Sequence, residues 1–206
     1  MKVLLLNGSG RTDGCTYTAL REVADGLERE GIGSELLQMG GKPVRDCIAC
    51  RRCTELGKCV FDDLANELIE KAAGADGFVF GSPVYYAHPT GQLQAVLDRA
   101  FYAGGRHFAH KPAAAVASAR RGGTAASFDV LNKYFTINQM PVVSSTYWNM
   151  VYGSTPDEVK QDLEGMQTMR NLARNMAWLL RCIEAGKASG VLPPAAEKNF
   201  RTNFIR

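Results

Sequence analysis

The sequence predicts an α/β fold: a doubly wound, five-stranded parallel sheet, ordered 2-1-3-4-5, between two helical layers. Three observations predict it. Strand and helix patterns alternate strictly from end to end, which favours a sheet covered on both faces. The strands read as short, continuous apolar runs rather than as alternating ones, as expected when neither face meets water. The loops richest in glycine, tyrosine and arginine follow strands 1, 3 and 4, at the carboxyl edge where such sheets bind ligands.

Lys2-Val3-Leu4-Leu5-Leu6-Asn7 is the first strand. Behind it Ala19, Leu20, Val23, Ala24 and Leu27 recur at helical spacing until Gly31 stops the pattern. Ser34 to Met39 reads as the second strand. Residues 40–61 hold glycine, proline and four cysteines and read as an irregular insertion. Asp62 is expected to cap a helix carrying Leu64, Leu68, Ile69 and Ala72. Asp76 to Gly81 is the third strand, and Thr90 starts a helix with Leu93, Val96, Leu97, Ala100 and Phe101 inward. Residues 112–118 form a fourth strand of small residues, a helix spans 124–137, and Val142 to Thr146 makes the fifth strand. Thr155-Pro156-Asp157-Glu158 is a capping box with proline at the first helical position. The helix it opens carries Val159, Leu163, Met166, Met169, Leu172, Met176, Leu179 and Ile183 and runs to about Gly186, with Cys182 expected in its packed face. One domain over residues 1–190 follows, with the insertion at 40–61 and a tail at 191–206.

The first loop, Gly8-Ser9-Gly10-Arg11-Thr12-Asp13-Gly14-Cys15-Thr16, opens a helix. Free backbone N–H groups and the helix dipole favour an anion there. Ser9, Thr12 and Thr16 add hydroxyls, and Arg11 adds a charge that pairs with phosphate oxygens. The spacing matches neither a P-loop, which ends in Gly-Lys-Ser/Thr, nor the G-x-G-x-x-G dinucleotide fingerprint. Several hydroxyls with one arginine suit a terminal phosphate monoester, such as that of FMN. A plain turn that needs glycines is the competing reading.

Composition narrows the class. A chain of 206 residues with 46% hydrophobic content fills one generous domain. A net charge of +3, without basic runs, leaves no footprint for nucleic acid. The chain opens on its first strand, and no apolar stretch reaches the ~18 residues of a membrane span. A cytoplasmic protein that binds neither nucleic acid nor membrane is expected. In a reducing compartment, six cysteines point to metal or redox chemistry rather than disulfides.

The other two loops suit a flat ring. Pro83-Val84-Tyr85-Tyr86 offers rigid backbone and two aromatic rings, while Ser118-Ala119-Arg120-Arg121-Gly122-Gly123 lets backbone N–H groups approach a ligand and places arginines near it. Trp148 and Asn149 either reach the same rim or simply pack. His88 and His107 carry no partner pattern, and no Ser-His-Asp or Cys-His-Asp set suggests hydrolysis.

Over essentially its whole length the chain resembles the NAD(P)H-dependent FMN reductases, a family of flavodoxin-like proteins. The resemblance is carried by Gly8 to Arg11, Gly14-Cys15-Thr16, Gly81 to Tyr86, Gly91, Leu97-Asp98-Arg99 and Ser118 to Thr124. It implies FMN bound through its phosphate by Ser9, Arg11 and Thr16, with its ring between Pro83–Tyr86 and Ser118–Gly123. Cys15 stands where the family usually has asparagine, offering either an ordinary thiol or, at a helix start, one with a depressed pKa. The implied reaction passes hydride from NADH or NADPH to the flavin and then electrons to a small-molecule acceptor, in a homodimer or larger assembly.

Cys47-Ile48-Ala49-Cys50-Arg51-Arg52-Cys53, with Cys59 five residues on, is the second strong signal. Four thiolates suit a [4Fe–4S] cluster or a tetrahedral zinc. Zinc sites usually pair two separated knuckles, so a compact run favours iron–sulfur. The run resembles that of the iron–sulfur flavoproteins, a branch of the same group that carries single electrons; a metal-free packed loop is the other reading. Three functions therefore stand: an FMN-dependent NAD(P)H oxidoreductase, an iron–sulfur flavoprotein with its cluster on Cys47, Cys50, Cys53 and Cys59, and a flavin-binding interaction protein with little reductase activity.

Overall fold

In the computed structural model, which describes residues 1–202 and 204, five parallel strands lie in the order β2-β1-β3-β4-β5. The chain runs β1 (Lys2–Asn7), α1 (Cys15–Arg29), β2 (Gly33–Gln38), α2 (Cys53–Leu56), α3 (Leu64–Ala73), β3 (Gly77–Pro83) and α4 (Gly91–Gly104). After a 3-10 turn at Gly105–His107 come β4 (Ala113–Ala119), α5 (Thr124–Ile137), β5 (Met150–Tyr152), α6 (Pro156–Gln161) and α7 (Leu163–Ala188). The sheet order is the one the sequence predicts.

Successive strand side chains point to opposite faces, and the two faces build separate cores. Val3 and Leu5 of β1, Val79 of β3 and Val116 of β4 pack with α1 and α7. Leu4, Leu6, Phe78, Phe80 and Ala115 pack with α3, α4 and α5 on the other side. The small residues of β4 leave room for rings: Phe80 lies 5.5 Å from Phe135, and Phe101 stacks on Phe108 at 4.5 Å. All four Leu and Val side chains of β1 are fully buried, which explains their unbroken apolar run.

Five expectations are corrected. The fifth strand lies at Met150–Tyr152, pairing with Ala117–Ala119, not at Val142 to Thr146. Val142 touches the sheet only as an isolated bridge to Ala113. Beyond it Ser145 Oγ donates to Thr168 O at 2.7 Å and Asn175 Nδ2 donates to Ser144 O at 2.8 Å, holding this segment on α7. The α3 cap is Asp63, whose carboxylate accepts from Ala65 N at 3.1 Å, rather than Asp62. The final helix is two helices: Asp162 leaves the helical region (ψ 80°) and caps α7 by accepting from Gly165 N at 2.9 Å. Cys182 is exposed, because the buried stripe of α7 runs through Met169, Ala173, Met176 and Leu180 and a residue two positions further sits on the opposite side of the helix. Leu163, at the α6–α7 joint, is also exposed.

Candidate functional site

The loop between β1 and α1 is shaped by side chains from two adjacent strand ends. Asn7, fully buried, accepts from Ser9 N at 3.1 Å and donates to Gln38 Oε1 at 2.6 Å and Arg11 O at 3.2 Å. Ser9 Oγ accepts from Arg11 N at 3.1 Å. From the other side, Gly8 N donates to Gly81 O at 2.8 Å and Thr90 Oγ1, at the start of α4, donates to Gly8 O at 2.9 Å. A Cβ at Gly8 would lie 2.7 Å from the backbone O of Gly81, so only glycine fits. Gly14 caps α1 without a side-chain hydrogen bond. Among the described residues no acceptor meets the N–H groups of Thr16 and Tyr17. The result is a cradle of free N–H groups, an arrangement suited to an anion, with Arg11 exposed beside it.

Three strand ends turn this cradle into one cavity of about 180 Å³. Ser9, Arg11 and Cys15 line it from the first loop; Pro83, Val84 and Tyr85 from the end of β3; Ser118, Ala119 and Arg120 from the end of β4. Thr16 lies beneath the wall, its Oγ1 2.7 Å from Ser118 Oγ. Tyr86, Arg121, Gly122 and Gly123 do not line it. Tyr86 (φ 51°) and Ala87 (φ 62°) form the tip of a two-residue turn, closed by hydrogen bonds of 2.9 and 3.0 Å between Tyr85 and His88. That tip projects Tyr86 into solvent. Gly123 (φ 86°) instead supports the turn from below: a Cβ there would lie 2.7 Å from Ala87 Cα.

Gly153 and Ser154 complete the wall. Placing the fifth strand too early hid them from sequence reasoning, although the capping box directly after them marks a strand-to-helix loop. Trp148 is exposed against Tyr147, and Asn149 is buried with Nδ2 donating to Ala115 O at 3.1 Å; neither reaches the cavity. The depressed pKa considered for Cys15 is not seen. Burial pushes its thiol up, outweighing its own backbone N–H and Arg11, and Glu158 pushes the same way. Its Sγ donates weakly to Gly153 O at 3.5 Å.

The cysteine run forms a second cavity. Cys47 and Cys50 are exposed, Cys53 and Cys59 half-buried, and all four are free thiols opening on the same space with Arg51, Phe61 and Arg99. Arg99 is 2% exposed. Its Nη1 donates to Asp63 Oδ2 and to Arg45 O, both at 2.8 Å, and its Nη2 donates to Asp63 Oδ1. Its Nε is buried without a partner. Among the described residues, no three His, Cys, Asp or Glu side chains converge tightly enough to hold a metal ion. The donor set itself, four thiols around one space beside an unsatisfied cationic donor, suits a thiolate-ligated cluster.

A doubly wound sheet with an anion cradle at its switch point defines the flavodoxin-like class, and known proteins place the chain within it. The sequence profile of the NADPH-dependent FMN reductases matches residues 1–155, and the chain belongs to this family. An iron–sulfur flavoprotein of Methanocaldococcus jannaschii is 33% identical over 192 residues, covering 89% of this chain and 100% of that protein. One from Methanosarcina thermophila is 27% identical, covering 91% and 99%. Among solved structures, RosB with a bound riboflavin-phosphate intermediate superposes with a TM-score of 0.69 at 18% identity, covering 100% of this chain and 94% of that one. An archaeal flavodoxin gives 0.61 at 13% identity, covering 88% and 99%. These two similarities speak to fold alone.

Proposed function

We propose that this chain is an FMN-dependent oxidoreductase that exchanges electrons between FMN at the β1–α1 cradle and a [4Fe–4S] cluster on Cys47, Cys50, Cys53 and Cys59. The observation that carries the reading is the pairing, in one chain, of a pre-formed anion cradle at the sheet's switch point with four free thiols on one cavity. Bound FMN supplies the redox chemistry. Around it, Ser9, Arg11 and the free N–H groups of α1 hold the phosphate. Pro83 to Tyr85 and Ser118 to Arg120 border the ring, and Arg120 offers positive charge to it. Cys15 stays protonated at neutral pH, because burial raises its pKa. The relatives in Methanocaldococcus and Methanosarcina, named for both cofactors, support the reading. So does the free state of all six cysteines, which fits the reducing cytoplasm. No described helix is long and apolar enough to cross a membrane.

Hydride delivery from NADH or NADPH is a second reading, favoured by the family profile; it uses the same cavity and needs nothing from the cysteines. Either reading includes a small-molecule acceptor and a homo-oligomer, the latter favoured by the exposed Leu192 and Phe200 of the tail.

Anaerobic reconstitution with FMN, iron and sulfide tests the pair. The first reading expects one FMN and about four iron and four sulfide per chain, with broad iron–sulfur absorption over the flavin bands. Full FMN loading without iron removes the cluster. Failure of both nicotinamides to bleach the flavin removes the second reading.

A further inference from the structure

Arg99 is a cation removed from water on a helix whose other buried residues are Leu, Val, Ala and Gly104. Its contacts reach both ends of the cysteine run. At the near end it binds the carbonyl of Arg45, two residues before Cys47. At the far end it pairs with Asp63 and stands 5.3 Å from the Phe61 ring centroid. Asn66 secures the same end: Cys59 N donates to its Oδ1 at 2.8 Å, and its Nδ2 donates to Cys59 O at 3.0 Å. The two carboxylate oxygens of Asp63 satisfy Nη1 and Nη2, yet Nε remains buried and unpaired. An ion pair alone leaves that donor without a purpose. A sulfur ligand set in the adjoining cavity gives it one.

We propose that Arg99 is the positioning residue of the cysteine cavity: its guanidinium holds both ends of the run in register and offers thiolate sulfur a buried positive charge with a spare N–H donor. The inference rests on the cluster reading above. A cluster with four thiolates is net negative, and each added electron makes it more so. A buried cation beside it favours the reduced form, because charges interact more strongly away from water. Hydrogen bonds to cluster sulfur act in the same direction on the potential.

The test uses the full chain carrying FMN, as wild type, Arg99→Lys and Arg99→Met, each reconstituted with iron and sulfide and titrated redox-potentiometrically. In Arg99→Met, reduction of the cluster should become at least about tenfold less favourable, which is about 59 mV for a one-electron couple. Arg99→Lys, which keeps the charge and loses the planar fork, should recover part of the shift and still lose its cluster to a chelator faster than wild type. The FMN potential should not move in either variant. Should the Met variant fail to fold, the Lys variant carries the test through its chelator rate and potential. Loaded variants with wild-type cluster potential and chelator resistance would overturn the role of Arg99 while leaving the cluster reading intact. Wild-type protein that takes up no iron overturns both.

Discussion

Single residues decide the shape of the first loop, which the proposed function assigns to a phosphate. Ser9 and Arg11 stand out in the sequence as a hydroxyl and a guanidinium beside glycines at a helix start, and both line the first cavity. Asn7 is not legible: its work depends on Gln38, at the end of the neighbouring strand, and no local pattern links the two. Cys15 shows the opposite failure. Its position at a helix start suggests an acidified thiol, but burial between α1 and Gly153 dominates. Arg11 is the cradle's exposed charge, so its loss should remove one charge-assisted hydrogen bond without disturbing the fold. With about 1.5–3 kcal/mol for such a bond, and the lower end appropriate to an exposed group, Arg11→Ala should raise the Kd for FMN roughly tenfold. Fluorescence titration of the apoprotein measures it; an unchanged Kd places the phosphate elsewhere.

At the scale of elements, local signals gave the starts of α4 and α6, and tertiary contacts moved other boundaries. The capping box at Thr155 is where the sequence places it, with Thr155 Oγ1 accepting from Glu158 N at 3.2 Å. The apolar stripe that follows does not reveal the break at Asp162, because Val159 and Met166 are buried on either side of it. Asp162 accepts from Gly165 N and also from Tyr152 N, at 2.8 Å, so it anchors both α7 and the strand that leads to Gly153 and Ser154. Asp162→Ala should lower stability by about 1–2 kcal/mol, as loss of a capping side chain does, with Asp162→Asn retaining most of it. Urea denaturation measures both. The fifth strand lies away from its predicted position for a related reason: Val142-Val143 has strand propensity, but hydrogen bonds with α7 claim the residues after it. In the cysteine run, the cysteine spacing is visible in sequence, whereas Arg99, 40 positions beyond Cys59 in the numbering, joins it only through the packing of α4.

For the whole molecule, the alternation of elements was enough to give the sheet order, since crossover rules leave few ways to wind five strands. Charges then fasten the outer strand. Glu35 of β2 is paired with Lys2 of β1 and, at 2.6 Å, with Lys71 of α3. Hydrogen bonds from Lys2 and then Lys71 hold its carboxyl below the usual range. A carboxyl whose folded pKa is depressed contributes its stability above the unfolded value of about 4.3 and loses it as pH falls through the folded pKa. Glu35→Gln should therefore lower the melting temperature slightly at neutral pH and flatten its decline below about pH 4.3. Parallel melting curves for wild type and variant across that range check it, and identical acid limbs would show that the pair contributes nothing. At the opposite border, the last strand is short and interrupted. Val143 N donates to Ala113 O at 2.8 Å, Asn149 Nδ2 to Ala115 O at 3.1 Å, and Gly153 N to Ala119 O at 3.0 Å. Three carbonyls that a longer strand would have covered are thus met by unrelated groups. That border offers a stray chain little to template on, so the protein gains resistance to edge-to-edge aggregation there without a long flat strand of its own.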